Sequence, residues 1–159
     1  MKRVALIVAG GNGTRMNSKI PKQFLLLNNL PVLMHTIKQF SHFEEIMVVL
    51  PEMQFEYWNN ICKENSFDKK HTLVKGGESR YQSVKNGLDK IDEVSIVAIH
   101  DGVRPLISKT LIEKLSAKAK EGIGVIPILP VKNSILKIEG KNSKYIDRNH
   151  LYKVQTPQC

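Results

Sequence analysis

Val8-Ala9-Gly10-Gly11-Asn12-Gly13-Thr14-Arg15-Met16, followed closely by Ile20-Pro21-Lys22-Gln23-Phe24, sets an apolar run, a glycine turn and two cations in close succession. The apolar run over residues 4–8 ends in glycines, and two basic side chains, Arg15 and Lys22, follow soon after. A strand therefore hands over to a loop shaped for an anion, and a nucleotide is the expected ligand. Glycines without Cβ let backbone N–H groups approach phosphate oxygens closely. Arg15 and Lys22 add full positive charges to those partial ones. Two standard phosphate loops do not fit: Walker A needs Gly-Lys-Ser/Thr after its second glycine, and the dinucleotide fingerprint fails where Met16 replaces its third glycine. A plain connecting turn remains the alternative for the glycines alone, and the downstream basic pair weighs against it.

Outward from this loop, apolar runs of strand length recur at 4–8, 46–50, 72–74, 94–99 and 123–129. Helix-like stretches separate them: 31–40, a weaker one over 54–64, 79–91 and 108–121, with Ser79 and Ser108 as N-caps. The alternation predicts an α/β domain over 1–159 with a largely parallel sheet. Gly76-Gly77 forms a second glycine turn at a strand end, open to a phosphate or base contact or to the simpler reading of a tight strand-to-helix turn. The run 94–99 leads into His100-Asp101-Gly102-Val103-Arg104-Pro105. A carboxylate at the carboxyl end of a buried strand lies where open α/β sheets hold ligands, so Asp101 is a candidate for a divalent metal. The competing reading has Asp101 capping a turn and pairing with Arg104. From Ser134 to Arg148 short polar-interrupted segments turn at 140–142, which predicts a β-hairpin projecting over 132–149.

Composition narrows the classes. With 42% hydrophobic and 25% charged residues, the 159-residue chain is of globular type and long enough for a core. No apolar run reaches the length of a membrane span, and Met1-Lys2-Arg3 leads into a strand, not a signal peptide, so cytoplasm is the expected location with no membrane partner. Cys62 and Cys159 form no metal-ligand spacing, and the five histidines are scattered, which argues against zinc. The net charge of +9 is spread along the chain without a nucleic-acid-binding signature. It suits a phosphate-rich small substrate or a solvated basic surface, and no nucleic-acid partner is expected.

Assembled, the motifs resemble the 2-C-methyl-D-erythritol 4-phosphate cytidylyltransferase family of the non-mevalonate isoprenoid pathway. The resemblance rests on the glycine loop, Pro21-Lys22-Gln23, Gly76-Gly77-Glu78-Ser79-Arg80 with Ser83-Val84, His100 to Pro105, and Asp147-Arg148 with Gln155-Thr156-Pro157-Gln158. It implies a Rossmann-like sheet flanked by helices, and the joining of CTP to a sugar-alcohol phosphate with loss of pyrophosphate. Ala9, Gly10, Gly11 and Gly13 would wrap the nucleotide, with Gly77, Glu78 and Ser83 near base and ribose. Arg15 and Lys22 correspond to transition-state stabilisers and Asp101 to the ligand of Mg²⁺. Arg104, Ser134 and Arg148 correspond to substrate-binding residues, Arg148 reaching a partner's site in a homodimer built through the hairpin arm. The sequence departs from the family at Val103, where alanine is more usual, and at Asn133-Ser134 in place of an Asp-Thr pair. The family pattern also runs on past the Thr-Pro-Gln motif to a further lysine and acidic residue, whereas this sequence stops at Cys159. Either the product is truncated there or the sequence is part of a longer one; in the first case CTP binding is expected ahead of full turnover. Rivals are ribitol 5-phosphate cytidylyltransferase, against which Asp147-Arg148 argues, a nucleotidyltransferase using another base, and a silent CTP-binding remnant.

Overall fold

The computed structural model describes residues 1–11 and 20–159. The first strand, β1 (Lys2–Val8), carries apolar side chains for both faces of a sheet, and Val4, Ala5, Leu6 and Ile7 are all fully buried. That is the pattern of a central parallel strand. A small hairpin follows, β2 (Leu26–Leu27) with β3 (Leu30–Pro31). It turns through Asn28 and Asn29 at φ 48° and 61°, the paired left-handed residues that a type I′ turn requires. Helix α1 (Val32–Gln39) starts directly after Pro31, which stands just outside it in extended conformation.

Next come β4 (Glu45–Leu50), α2 (Phe55–Glu64), β5 (Thr72–Lys75), α3 (Arg80–Leu88), β6 (Ser95–Asp101) and α4 (Lys109–Lys118). Strands β1, β4, β5 and β6 form a parallel sheet in the order β5-β4-β1-β6. Because side chains alternate along a strand, Ala5 and Ile7 face one side and Val4 and Leu6 the other. The first set packs with Leu33, Met34 and Ile37 of α1, Trp58 of α2 and Ile112 of α4. The second packs with Met47, Val49 and Val74, and Val84 of α3 joins it. Helix α3 approaches closely because Gly87 lies against Leu6: a Cβ there would stand 2.3 Å from Leu6 Cδ1. Ser79 Oγ accepts the Gln82 N–H at 3.0 Å and Ser108 Oγ the Leu111 N–H at 3.2 Å, so both serines cap their helices as expected.

The chain lays β4 and then β5 on one side of β1 before crossing to β6 on the other. That reversal of strand order opens a crevice at the carboxyl ends of β1 and β6, the place where open α/β sheets bind ligands. Val8 and Asp101 are register partners there.

The run 123–129 does not join the sheet beside β6 as a further parallel strand. Residues 155–159 come between: Ile99 and Gln158 exchange backbone hydrogen bonds at 2.8 and 2.9 Å in antiparallel fashion. Val125 and Cys159 exchange theirs at 2.7 and 2.9 Å. Only β7 (Ile128–Pro130) is regular strand, and it pairs antiparallel with β10 (Tyr152–Val154). Pro127 and Pro130 lack the N–H a continuous ladder needs. Helix α4 also stops short of the expected 121, because a tight turn over 120–123 holds Gly122 at φ 73°.

Between β7 and β10 lies the expected hairpin, β8 (Ile135–Glu139) and β9 (Asn142–Ile146). Its two-residue turn opens with Gly140 at φ 61°, a left-handed value that glycine adopts without strain. Lys137 stands opposite Lys144 on one face, while Leu136, Ile138 and Tyr145 on the other are exposed. Among the described residues no helix is long and apolar enough to cross a membrane.

Candidate functional site

Three strand ends converge on one cleft of about 500 Å³. After β1 the backbone continues its pairing for one residue, the Ala9 N–H donating to Val49 O at 2.9 Å, and then leaves the sheet at Gly10. After β5, the Gly76 N–H donates to Leu50 O at 2.8 Å and the chain turns into α3. After β6, the Gly102 N–H donates to Val8 O at 2.8 Å, so the loop bearing Asp101 is tied to the end of β1. Ala9, Gly10, Gly11, Lys22, Gly77, Glu78, Ser83, Asp101 and Arg104 all line this cleft. Gly13 and Arg15 lie outside the described residues. Ser134 and Arg148 are elsewhere, both exposed on the hairpin arm, where Arg148 Nη1 donates to Lys132 O at 2.6 Å.

Ser83 shows why the second glycine turn has its form. It is 3% exposed, and its Oγ accepts the Gly77 N–H at 3.0 Å, pinning the turn to α3. A Cβ on Gly77 would stand 2.3 Å from Gln82 Cγ, so the turn folds onto the helix only with glycine there. Ser83 Oγ also lies 3.4 Å from where a Cβ would stand on Gly10 or on Gly76, so one hydroxyl sits between the two glycine turns.

Lys22 reaches the cleft because its neighbours are anchored. It opens a single 3₁₀ turn, Lys22–Phe24, in which Gln23 is fully buried and Phe24 is 4% exposed. Phe24 packs edge-on against Tyr57 at 5.1 Å and stacks on Trp58 at 5.9 Å. Gln23 Nε2 donates to Gln54 Oε1 at 2.9 Å. With Gln23 and Phe24 fixed on the α2 side, Lys22 is left facing the cleft, and among the described residues it pairs with no carboxylate.

Among the described residues Asp101 is held by two guanidinium groups: Arg104 Nε at 2.8 Å and Arg80 Nη2 at 3.3 Å. The pairing with Arg104 that the sequence left open is thus present, with Arg80 added. Arg104 in turn donates through Nη1 to Gln155 Oε1 at 2.8 Å. Beneath them His100 is fully buried. Its Nε2 lies 3.1 Å from Arg104 O and its Nδ1 3.0 Å from Thr156 Oγ1. A carbonyl only accepts, so Nε2 carries the proton and Nδ1 accepts from the Thr156 hydroxyl. Burial pushes this imidazole below its ordinary 6.5 and keeps it neutral.

Asp101 presents one carboxylate to the cleft, and among the described residues no three metal-binding side chains cluster. A hard divalent cation such as Mg²⁺ is commonly held by one or two carboxylates, with phosphate and water oxygens completing its shell. The donor chemistry of Asp101 fits such an ion.

Arg80, His100, Gln155 and Thr156 had no role assigned from sequence, although each falls within a quoted motif. The one local signal was Arg80's position in the first turn of a helix that follows a glycine turn. The links to Gln155 and Thr156 cross more than fifty residues and leave no local pattern.

Comparison with known proteins bears on what this cleft serves. The family described as IspD, 2-C-methyl-D-erythritol 4-phosphate cytidylyltransferase, matches residues 3–159. A protein of that name from Bacteroides fragilis is 44% identical over 161 residues, which cover 99% of this chain and 74% of the relative. One from Azobacteroides pseudotrichonymphae is 42% identical over 160 residues, covering 99% and 72%. The crystal structure of 4-diphosphocytidyl-2C-methyl-D-erythritol synthase from Anaerococcus prevotii superposes with a TM-score of 0.78 at 27% identity, covering 99% of this chain and 68% of that one. The cytidylyltransferase from Thermus thermophilus gives 0.75 at 28%, covering 99% and 70%. With a match running through nearly every residue, and relatives of which it spans nearly three quarters, the chain belongs to the 2-C-methyl-D-erythritol 4-phosphate cytidylyltransferase family.

Proposed function

We propose that this cleft joins CTP to 2-C-methyl-D-erythritol 4-phosphate, giving the CDP-alcohol and pyrophosphate for isoprenoid precursor synthesis. The observation that carries the reading is the meeting of a glycine turn, a lysine that pairs with no carboxylate among the described residues, and the Asp101 carboxylate at the switch point between β1 and β6. Backbone N–H groups at Gly10 and Gly11 suit phosphate oxygens, Ala9 lines the same turn with its own N–H given to Val49 O, and Gly77, Glu78 and Ser83 suit the base and ribose. A phosphate oxygen of the sugar alcohol attacks the α-phosphorus in line as pyrophosphate leaves. Two polyanions must meet, so positioning and charge stabilisation carry the catalysis and no protein nucleophile is needed. Lys22 supplies one fixed cation, and Arg15 is assigned the same task from sequence. Asp101 would hold Mg²⁺, which supplies positive charge to the triphosphate when bound. Arg104 faces the polyol phosphate.

Ser134 and Arg148 serve the same substrate from a second copy of the chain. Their position on the arm, away from their own cleft, supports this, as does the exposed Leu136, Ile138 and Tyr145 face that a partner would cover. One assay tests the function. The protein is incubated with Mg²⁺, each of the four nucleoside triphosphates, and either methylerythritol phosphate or ribitol 5-phosphate, and pyrophosphate is measured. Release with CTP and methylerythritol phosphate is expected. Release only with ribitol 5-phosphate would move the assignment to that substrate, and no release with CTP still bound would favour a silent binding protein.

A further inference from the structure

Among the described residues Asp101 has two cationic partners, and they are not equivalent. Arg104 is fixed twice, by its 2.8 Å bond to Asp101 Oδ2 and its 2.8 Å bond to Gln155 Oε1. Arg80 meets Asp101 Oδ1 at 3.3 Å, has no second hydrogen bond among the described residues, and keeps half its side chain exposed in the cleft. Its backbone is set by Ser79, which caps α3. A long guanidinium on a rigid helix end, facing the same space as Lys22, is an exchangeable cation held in reserve by one weak bond.

We propose that Arg80 is a triphosphate-binding residue, held against Asp101 in the free protein and released to the nucleotide phosphates when Asp101 takes another partner. The inference rests on the reading that the cleft holds CTP. In its free state Arg80 shares with Arg104 the neutralising of a carboxylate that would otherwise repel the incoming polyanion. When a divalent cation occupies Asp101, Arg80 loses its counter-charge while still facing the cleft. The phosphates then become its nearest acceptor, and its planar fork suits two of their oxygens. The exchange also couples the two ligands, because anything that draws Asp101 away from Arg80 strengthens Arg80's hold on phosphate.

Calorimetric titration of CTP and CMP into the whole protein tests this, with Mg²⁺ and with EDTA. The variants are Arg80→Ala, Arg80→Gln, Asp101→Asn and the double variant Arg80→Ala/Asp101→Asn, each checked for folding by circular dichroism. With Mg²⁺, both Arg80 variants weaken CTP about ten- to a hundredfold and CMP less than about threefold, since the residue addresses the outer phosphates. With EDTA, Asp101→Asn frees Arg80 and tightens CTP, and the double variant loses that gain. Equal losses for CTP and CMP, or a gain that survives without Arg80, would overturn the inference and leave the cleft reading standing. Failure of the unmodified protein to bind CTP would overturn the cleft reading, and this inference with it.

Discussion

Acidification from about pH 7.5 to 5.5 destabilises this protein through one buried imidazole, His100, by at most about 1.4 kcal/mol. In the fold Nε2–H donates to Arg104 O and Nδ1 accepts from Thr156, so the neutral ring is satisfied at both nitrogens. A second proton on Nδ1 would turn an acceptor into a donor and place a charge in the interior, against Phe40 at 5.1 Å. Desolvation lowers its pKa foremost; the Asp101 carboxylate alongside opposes that and the Arg104 guanidinium adds to it. The unfolded chain takes up this proton near the ordinary 6.5. Between that value and the lower folded one the unfolded state binds more protons, so stability is fully present above 6.5 and falls as the solution becomes more acidic. One proton limits the slope to about 1.4 kcal/mol per pH unit, and integration over the interval gives the bound stated above. Urea unfolding followed by far-UV circular dichroism reads the effect, with His100→Gln as the reference because it has no titrating ring. The wild type should lose stability on acidification and the variant should lose less. A wild-type midpoint that stays flat, or equal slopes in both proteins, would refute the assignment of the effect to His100.

Lys22→Ala should cut turnover about 10²- to 10³-fold in a steady-state pyrophosphate assay, with the urea midpoint unchanged, because it removes a preorganised cation and no core contact. Gly87→Ala should destabilise the protein by up to about 2 kcal/mol: the new Cβ collides with the fully buried Leu6, an overpacking cost of about 1–3 kcal/mol offset by about 1 kcal/mol of helix propensity. Equilibrium urea unfolding measures it, and an unchanged midpoint would mean that Leu6 has room to move. Burial pushes the Cys62 thiol up to about 11, so it stays protonated at neutral pH, and a thiol reagent should label it rapidly only after denaturant is added.

Elements whose cause is local were legible from the residues alone. The all-apolar Val4 to Ile7 run dictates a strand buried on both faces, Ser79 and Ser108 mark helix starts, and glycines at two strand ends announce turns open to a ligand. Five ordered motifs went further and pointed to the family. Two things were missed because their cause lies far away in the chain. The neighbour of β6 on the side away from β1 is the segment 155–159 and not the run 123–129, a choice made by backbone hydrogen bonds that nearly every residue offers and that no side-chain pattern records. The partners of Asp101 were half legible: Arg104 lies three residues away, whereas Arg80 is brought in from another strand–helix unit by the parallel packing of β5, β4, β1 and β6. Tertiary packing alone fixed where the arm leaves the body of the domain, at the antiparallel β7–β10 pair, because a hairpin's register follows from its turn and alternation but its direction follows from the strands at its base.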